Sequence, residues 1–168
     1  MKKLFTLGLA LVIALALVNC GSEKKTAIKP GQNDGQYFRA VGCATVRMSA
    51  MISMGQRNAF TNARQELATK ISQALDQVAY CDFYGINLEE IIQNYTKELT
   101  LRCVTINEWR EDDKYGITFY NEVETKKVDI RNAFISYMNK VSEEQNLGID
   151  FSEERFVKYV SDALKITE

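Results

Sequence analysis

Histidine is missing from all 168 residues. That absence excludes Ser-His and Cys-His catalytic pairs, haem ligation by histidine and most zinc sites. Proline occurs once, at Pro30, and tryptophan once, at Trp109. The four cysteines, Cys20, Cys43, Cys81 and Cys103, contain no Cys-x-x-Cys spacing. A metal knuckle or a thioredoxin-like redox motif therefore has no foothold. No glycine-rich loop of the phosphate-cradling kind occurs. A basic excess is also lacking, with 21 Lys and Arg against 22 Asp and Glu. Nucleic-acid binding leaves a basic footprint, and none is present. The one long apolar run, Leu4 to Val18, has fifteen residues. A bilayer-spanning helix needs roughly 20.

What is there begins with that run. Lys2 and Lys3 precede it, and Leu17-Val18-Asn19-Cys20 closes it. A positive start and an apolar stretch of this length fit a secretory signal peptide. The end is not an Ala-x-Ala cleavage site. It resembles the lipobox of bacterial lipoprotein precursors, with Asn19 in place of the commoner Gly, Ala or Ser. The resemblance implies a diacylglyceryl group on the Cys20 sulfur, cleavage before Cys20 and acylation of the new amino group. The alternative is an uncleaved N-terminal anchor with an incidental cysteine. Two or more acyl chains anchor a protein stably where one does not. The expected location is the bacterial cell envelope, lipid-anchored at the outer membrane.

Cleavage would leave 149 residues, the size of one domain. It would remove Lys2 and Lys3, leaving 19 basic residues against 22 acidic, a net of −3. With Cys20 lipidated, three cysteines remain, and an odd number cannot all pair within one chain. They read as buried or partly buried thiols, with one disulfide and one leftover thiol as the alternative. Residues 20–36 read as the lipidated cysteine and a flexible linker. Gly21 to Gln36 carries Pro30, three glycines and charges of both signs, without hydrophobic period. A coil of 16 residues reaches on the order of 22 Å.

The rest, 37–168, reads as a single α+β domain in the order β-α-α-β-β-α-α. Tyr37 to Ala44 is β-prone, with Gly42 marking a bend or a close helix approach. A long helix runs from about Met54 to Ala79, with Phe60, Ala63, Leu67, Ile71, Leu75 and Val78 on one stripe. Asn87 and Glu90 fit a capping box before Leu88, Ile91, Ile92, Tyr95 and Leu99. Leu101 to Glu111 and Ile117 to Glu124 read as a hairpin around the turn Asp112 to Gly116. Asp129 is expected to cap a third helix and Ser152 a fourth. Phe151 and Phe156 fit a hydrophobic staple at the latter. Three strands with helices on one face make a two-layer domain.

Phe38-Arg-Ala-Val-Gly-Cys-Ala44, Ala59 and Ala63-Arg64-Gln-Glu-Leu67-Ala68 resemble the pattern of the LPP-twenty family of bacterial lipoproteins. They are similar, more distantly, to the N-terminal domain of a flagellar-assembly ring protein. The resemblance spans about Tyr37 to Val128. It implies an envelope lipoprotein and supplies no catalytic residues. Gly42, Ala59 and Ala63 read as packing positions that let a helix lie close on a strand. Arg64 reads as a salt-bridge partner or as a side chain packed along the sheet edge, with a ligand role as the alternative.

Catalysis is not expected, nor a metal or a cofactor. Glu89-Glu90, Asp112-Asp113 and Glu143-Glu144 are neighbours in sequence, whereas a glycosidase needs carboxylates opposed across a cleft. Cys43 and Cys103 lie in predicted strands, where burial is expected, and no histidine can activate them. The remaining candidates are Trp109, Tyr115, Phe119 and Tyr120 about the hairpin tip. They read as cross-strand packing or, through Trp109, Tyr115 and Tyr120, as an interaction surface. The expected function is a non-catalytic structural or assembly role among envelope proteins or polymers; a binding module for a glycan, peptide or lipid is the alternative. Replacing Cys20 with Ser should abolish incorporation of labelled fatty acid and leave the precursor uncut. Unchanged labelling would refute the lipobox.

Overall fold

The structure is a computed structural model that describes residues 29–79, 86–99 and 102–167, with side chains 98 and 99 excepted. The signal segment, Cys20, Cys81, Leu101 and the side chain of Leu99 lie outside the described residues. Among the described residues three strands and four helices follow one another: β1 (Tyr37–Val46), α1 (Ile52–Ala79), α2 (Leu88–Leu99), β2 (Val104–Asp113), β3 (Gly116–Lys126), α3 (Lys127–Glu144) and α4 (Glu154–Ala163). A 3-10 turn, Ser49–Met51, leads into α1. The strands form one antiparallel sheet in the order β1-β3-β2. The α+β class and the order of elements are as the sequence predicts.

The pleat of β1 and β3 sets the two faces. Phe38, Ala40, Gly42 and Val46 of β1 are buried, as are Phe119, Asn121 and Val123 of β3. These alternate residues share one face. Phe38, Ala40 and Val123 join a single core with residues from all four helices. The helices thus cover one face of the sheet.

Helix α1 lies over that face and buries Gly55, Ala59, Ala63, Leu67, Ile71, Leu75 and Val78. The spacing is the predicted stripe, extended toward the N-terminus by two small residues. Phe60 sits at its margin, half-buried. The small residues matter because the approach is backbone to backbone. A Cβ on Gly42 would fall on the backbone of Ala59 and Ala63, and 2.6 Å from the Asn62 carbonyl carbon. A Cβ on Gly55 would stand 2.6 Å from the Phe119 ring.

The remaining helices close the other side of α1. They contribute Leu88, Ile92 and Tyr95 from α2, Ile130, Phe134 and Met138 from α3, and Phe156 and Val160 from α4. The Phe151 and Phe156 rings meet at 4.9 Å, although the helix start one residue later than expected takes them out of the N′ and N4 positions of a staple. The caps differ from expectation. Helix α3 starts directly off β3, with Lys126 at its N-cap, so Asp129 sits inside the first turn. Helix α4 has Glu153 at its N-cap, and Ser152 Oγ instead accepts from Asn139.

One further difference concerns burial. Cys43 is exposed, because its place in the pleat puts it on the helix-free face. Cys103 is half-buried just before β2, and burial pushes its thiol pKa up. Lys127 is buried, its Nζ donating to the Lys165 carbonyl at 3.1 Å and lying over the Phe38 ring.

Truncating Leu67 or Ile71 to Ala should cost about 2–5 kcal/mol in denaturant unfolding. Arg57→Ala or Gln73→Ala, at exposed sites, should cost less than about 0.5 kcal/mol. Gly42→Ala should cost at least about 1–3 kcal/mol despite adding one methyl group. A Gly42→Ala protein as stable as wild type would refute the close approach.

Candidate interaction surface

The helix-free face carries three rows of side chains set by strand register. Val41, Glu122 and Asn107 form one, Cys43, Tyr120 and Trp109 the next, and Thr45, Thr118 and Glu111 the third. Tyr120 stacks on Trp109 with centroids 5.0 Å apart and planes within 3°. Its hydroxyl donates to Glu111 Oε2 at 3.0 Å, and that bond raises the phenol pKa. The Thr45 and Thr118 hydroxyls lie 2.9 Å apart.

The β1 side of this face is covered by residues 29–36, which composition assigns to the linker. Gly31 N–H donates to Glu122 Oε1 at 2.7 Å, so this carboxylate is buried although its face bears no helix. Asp34 Oδ1 accepts the amides of Gln36 and Tyr37, and Asp34 Oδ2 binds Arg39 at 2.7 Å. Arg39 also donates to Glu124 Oε2 at 3.0 Å. Burial alone would raise the Asp34 pKa. The two amides and the Arg39 guanidinium outweigh it and hold the carboxyl below its ordinary value.

The same segment helps to plug the outer edge of β1. Arg39 N–H donates to Asn33 Oδ1 at 2.9 Å, and the Arg39 carbonyl accepts from Lys70 Nζ at 3.0 Å. The Cys43 carbonyl accepts from Asn62 Nδ2 at 2.8 Å.

The opposite edge, β2, has no such cover. Of its ten residues only Trp109 is even half-buried. Val104 is 57% exposed and Ile106 43%. The register with β3 slips between Thr105 and Asn107, a bulge at Ile106. Because the Arg39 backbone groups point away from β3, Arg39 and Glu124 are a non-hydrogen-bonded pair, and the alternation then runs along the sheet. The backbone groups of Tyr120 and Glu122 therefore face β2. Those of Glu108, Arg110 and Asp112 face outward, and among the described residues no side chain reaches them.

The sequence candidates divide accordingly. Trp109 and Tyr120 stand together. Tyr115 is apart, 69% exposed at the turn, with Lys114 Nζ 4.9 Å from its ring centre. Phe119 is on the other face, buried over Gly55. The expected cluster of four is thus a stacked pair, a turn residue and a core residue. Arg64 Cζ lies 5.4 Å from the Phe60 ring centre. Sequence reading passed over Val104, Ile106 and Glu108; a strand of mixed pattern with charges on both faces was the available signal.

An open furrow of about 890 Å³ lies between α2 and α3. Its lining mixes Ile130 and Ala133 with Arg102, Asp129 and Lys140. The Tyr95 hydroxyl beneath it donates to the Ile130 carbonyl. Among the described residues no group of three or more His, Cys, Asp or Glu is placed to hold a metal ion. No protein-family model, curated protein or solved structure matches the chain.

A depressed carboxyl pKa adds stability above its unfolded value, and that stability is lost as pH falls through the folded value. Asp34→Asn should therefore be less stable than wild type at neutral pH. The gap should narrow as the medium becomes acidic enough to protonate Asp34. Denaturant unfolding of both proteins at neutral and acid pH reads this out. A gap that stays constant into acid would mean that the charge is not the cause.

Proposed function

We propose that this chain is a membrane-anchored envelope lipoprotein with a non-catalytic assembly role, docking through the β2 side of its sheet. The lipobox-like end of the apolar run at Cys20 supports the anchor. The resemblance of Phe38 to Ala44 and Ala63 to Ala68 to LPP-twenty lipoproteins supports the class. One observation carries the docking role: one sheet edge is plugged by side chains while the other is bare. An exposed strand edge is a ready template for pairing with another chain, and proteins that do not use it blunt it. Beside the edge lie the Trp109–Tyr120 stack and Tyr115. Aromatics next to charged groups are common in recognition surfaces. The furrow between α2 and α3 is open and charged, unlike the largely apolar enclosed sites that small ligands favour.

The test is capture from detergent-solubilised envelopes by the full-length tagged protein and by a Trp109→Ala, Tyr115→Ala variant. Circular dichroism should show both folded. The variant should lose the components that wild type retains. Full retention would place the contact elsewhere, and turnover of an envelope substrate by purified wild type would overturn the non-catalytic reading.

A further inference from the structure

We infer that the partner of the bare edge is a second copy of this chain, paired β2 to β2 about a two-fold axis at Trp109. This deepens the assembly reading and rests on it. Backbone geometry restricts the registers. Outward-facing groups belong to Glu108, Arg110 and Asp112, so hydrogen-bonded pairs across the new seam must be drawn from these. Antiparallel pairing of identical strands makes each register symmetric about one residue.

Charge then selects among them. Centring on Glu108, Arg110 or Glu111 sets that residue against its own copy, like charge on like charge, which is destabilising for directly opposed residues. Centring on Asn107 runs the ladder through the bulge at Ile106. Centring on Trp109 sets no charge against its own copy and meets the bulge only at the ends of the ladder, where Asp112 faces Ile106. Glu108 of each copy then faces Arg110 of the other, twice, on the helix-bearing face. On the other face Trp109 meets Trp109, each already stacked on its own Tyr120. The acidic end, Glu111 to Asp113, falls opposite the neutral end, Asn107 to Thr105. The groups concerned are available. Arg110 and Asp112 make a 3.4 Å ion pair with both side chains more than half exposed, a contact of little energy. Glu108 uses Oε1 to accept from Asn121, leaving Oε2.

The pairing also ends where it should. Joined at β2, two sheets become one of six strands, β1-β3-β2-β2-β3-β1. Both of its outer edges are β1, plugged by Asn33, Lys70 and Asn62. The assembly closes at two copies and cannot grow into a fibre.

Sedimentation velocity of the full-length chain in mild detergent, with detergent mass subtracted, tests this. Wild type should be a dimer at micromolar concentration. Glu108→Arg and Arg110→Glu should each raise the dissociation constant at least about tenfold, since each opposes like charges twice. The double variant, Glu108→Arg with Arg110→Glu, restores opposite pairs and should return to within about threefold of wild type. Arg110→Pro deletes an outward N–H, leaves the ladder to β3 intact, and should give a folded monomer. A monomeric wild type would overturn the proposal. So would folded single variants that dimerise like wild type, or a folded double variant that stays monomeric. If wild type is monomeric yet still captures envelope components through Trp109 and Tyr115, only the two-fold pairing fails. If that capture is absent as well, the assembly reading fails with it.

Discussion

The contact between Gly42 and the backbone of α1 is the constraint on which the rest depends. A helix and a strand normally meet through side chains. Here Ala59, Asn62 and Ala63 bring main chain onto the one residue of β1 that has no Cβ. That contact fixes where the helix crosses the sheet. Gly55, two turns earlier than Asn62, then rests on the Phe119 ring. Later turns carry Leu67, Ile71, Leu75 and Val78 into the core shared with the other helices, while Lys70 still reaches the Arg39 carbonyl of β1. One helix of 28 residues thus serves both the sheet and the helical layer.

The position of α1 also explains why β2 is bare. The helix sits over β1 and β3, where small residues admit it. Opposite β2 the helix-facing positions are Glu108, Arg110 and Asp112, which have no reason to be covered. Strand β2 is held by its ladder to β3, by the Trp109–Tyr120 stack and by the Asn121–Glu108 hydrogen bond. Each of these is a modest interaction of the kind that stabilises cross-strand pairs. A ten-residue strand exposed on both faces is a costly thing to leave at an edge unless a partner uses it.

Much of this was legible from periodicity. The stripe on α1, the hairpin and the in-out alternation of β3 are local patterns, and local patterns survive in sequence. So was the role of Gly42, because glycine in a strand before an alanine-bearing helix marks a close approach. What could not be read was pairing. Nothing in Tyr37 to Val46 says that β1 lies beside β3, and that pairing decides which edge is free. The linker shows a second limit. Lys29 to Gln36 has the glycine, proline and charge of a solvated segment, and such composition serves equally for a tight structured turn. The cue was Asn33-Asp34 just before a strand, since these residues bond nearby amides readily. Tertiary partners settled it: Glu122 for the Gly31 amide and Arg39 for Asp34. Asp129 and Ser152 misled because capping residues also occur one or two positions inside or outside the true helix start.

The docked segment links the proposed pairing to the proposed anchor. Gly31 binds Glu122 and lies against Val41, both on the helix-free face. The described chain therefore begins beside that face. Nine residue steps separate Cys20 from Lys29, so a lipid on Cys20 can stand no more than about 30 Å from that point. An axis relating antiparallel neighbours through a residue pair on one face runs perpendicular to the sheet. Pairing at Trp109 therefore keeps the helix-free faces of both copies on the same side. The described segments of both copies then begin on that side, the side from which two anchors on Cys20, as proposed, would meet one membrane. A pairing that turned one sheet over would send the two anchors in opposite directions. Two chains lipidated as proposed would bind a membrane as a bivalent unit, in which the second anchor inserts at the effective concentration set by the first.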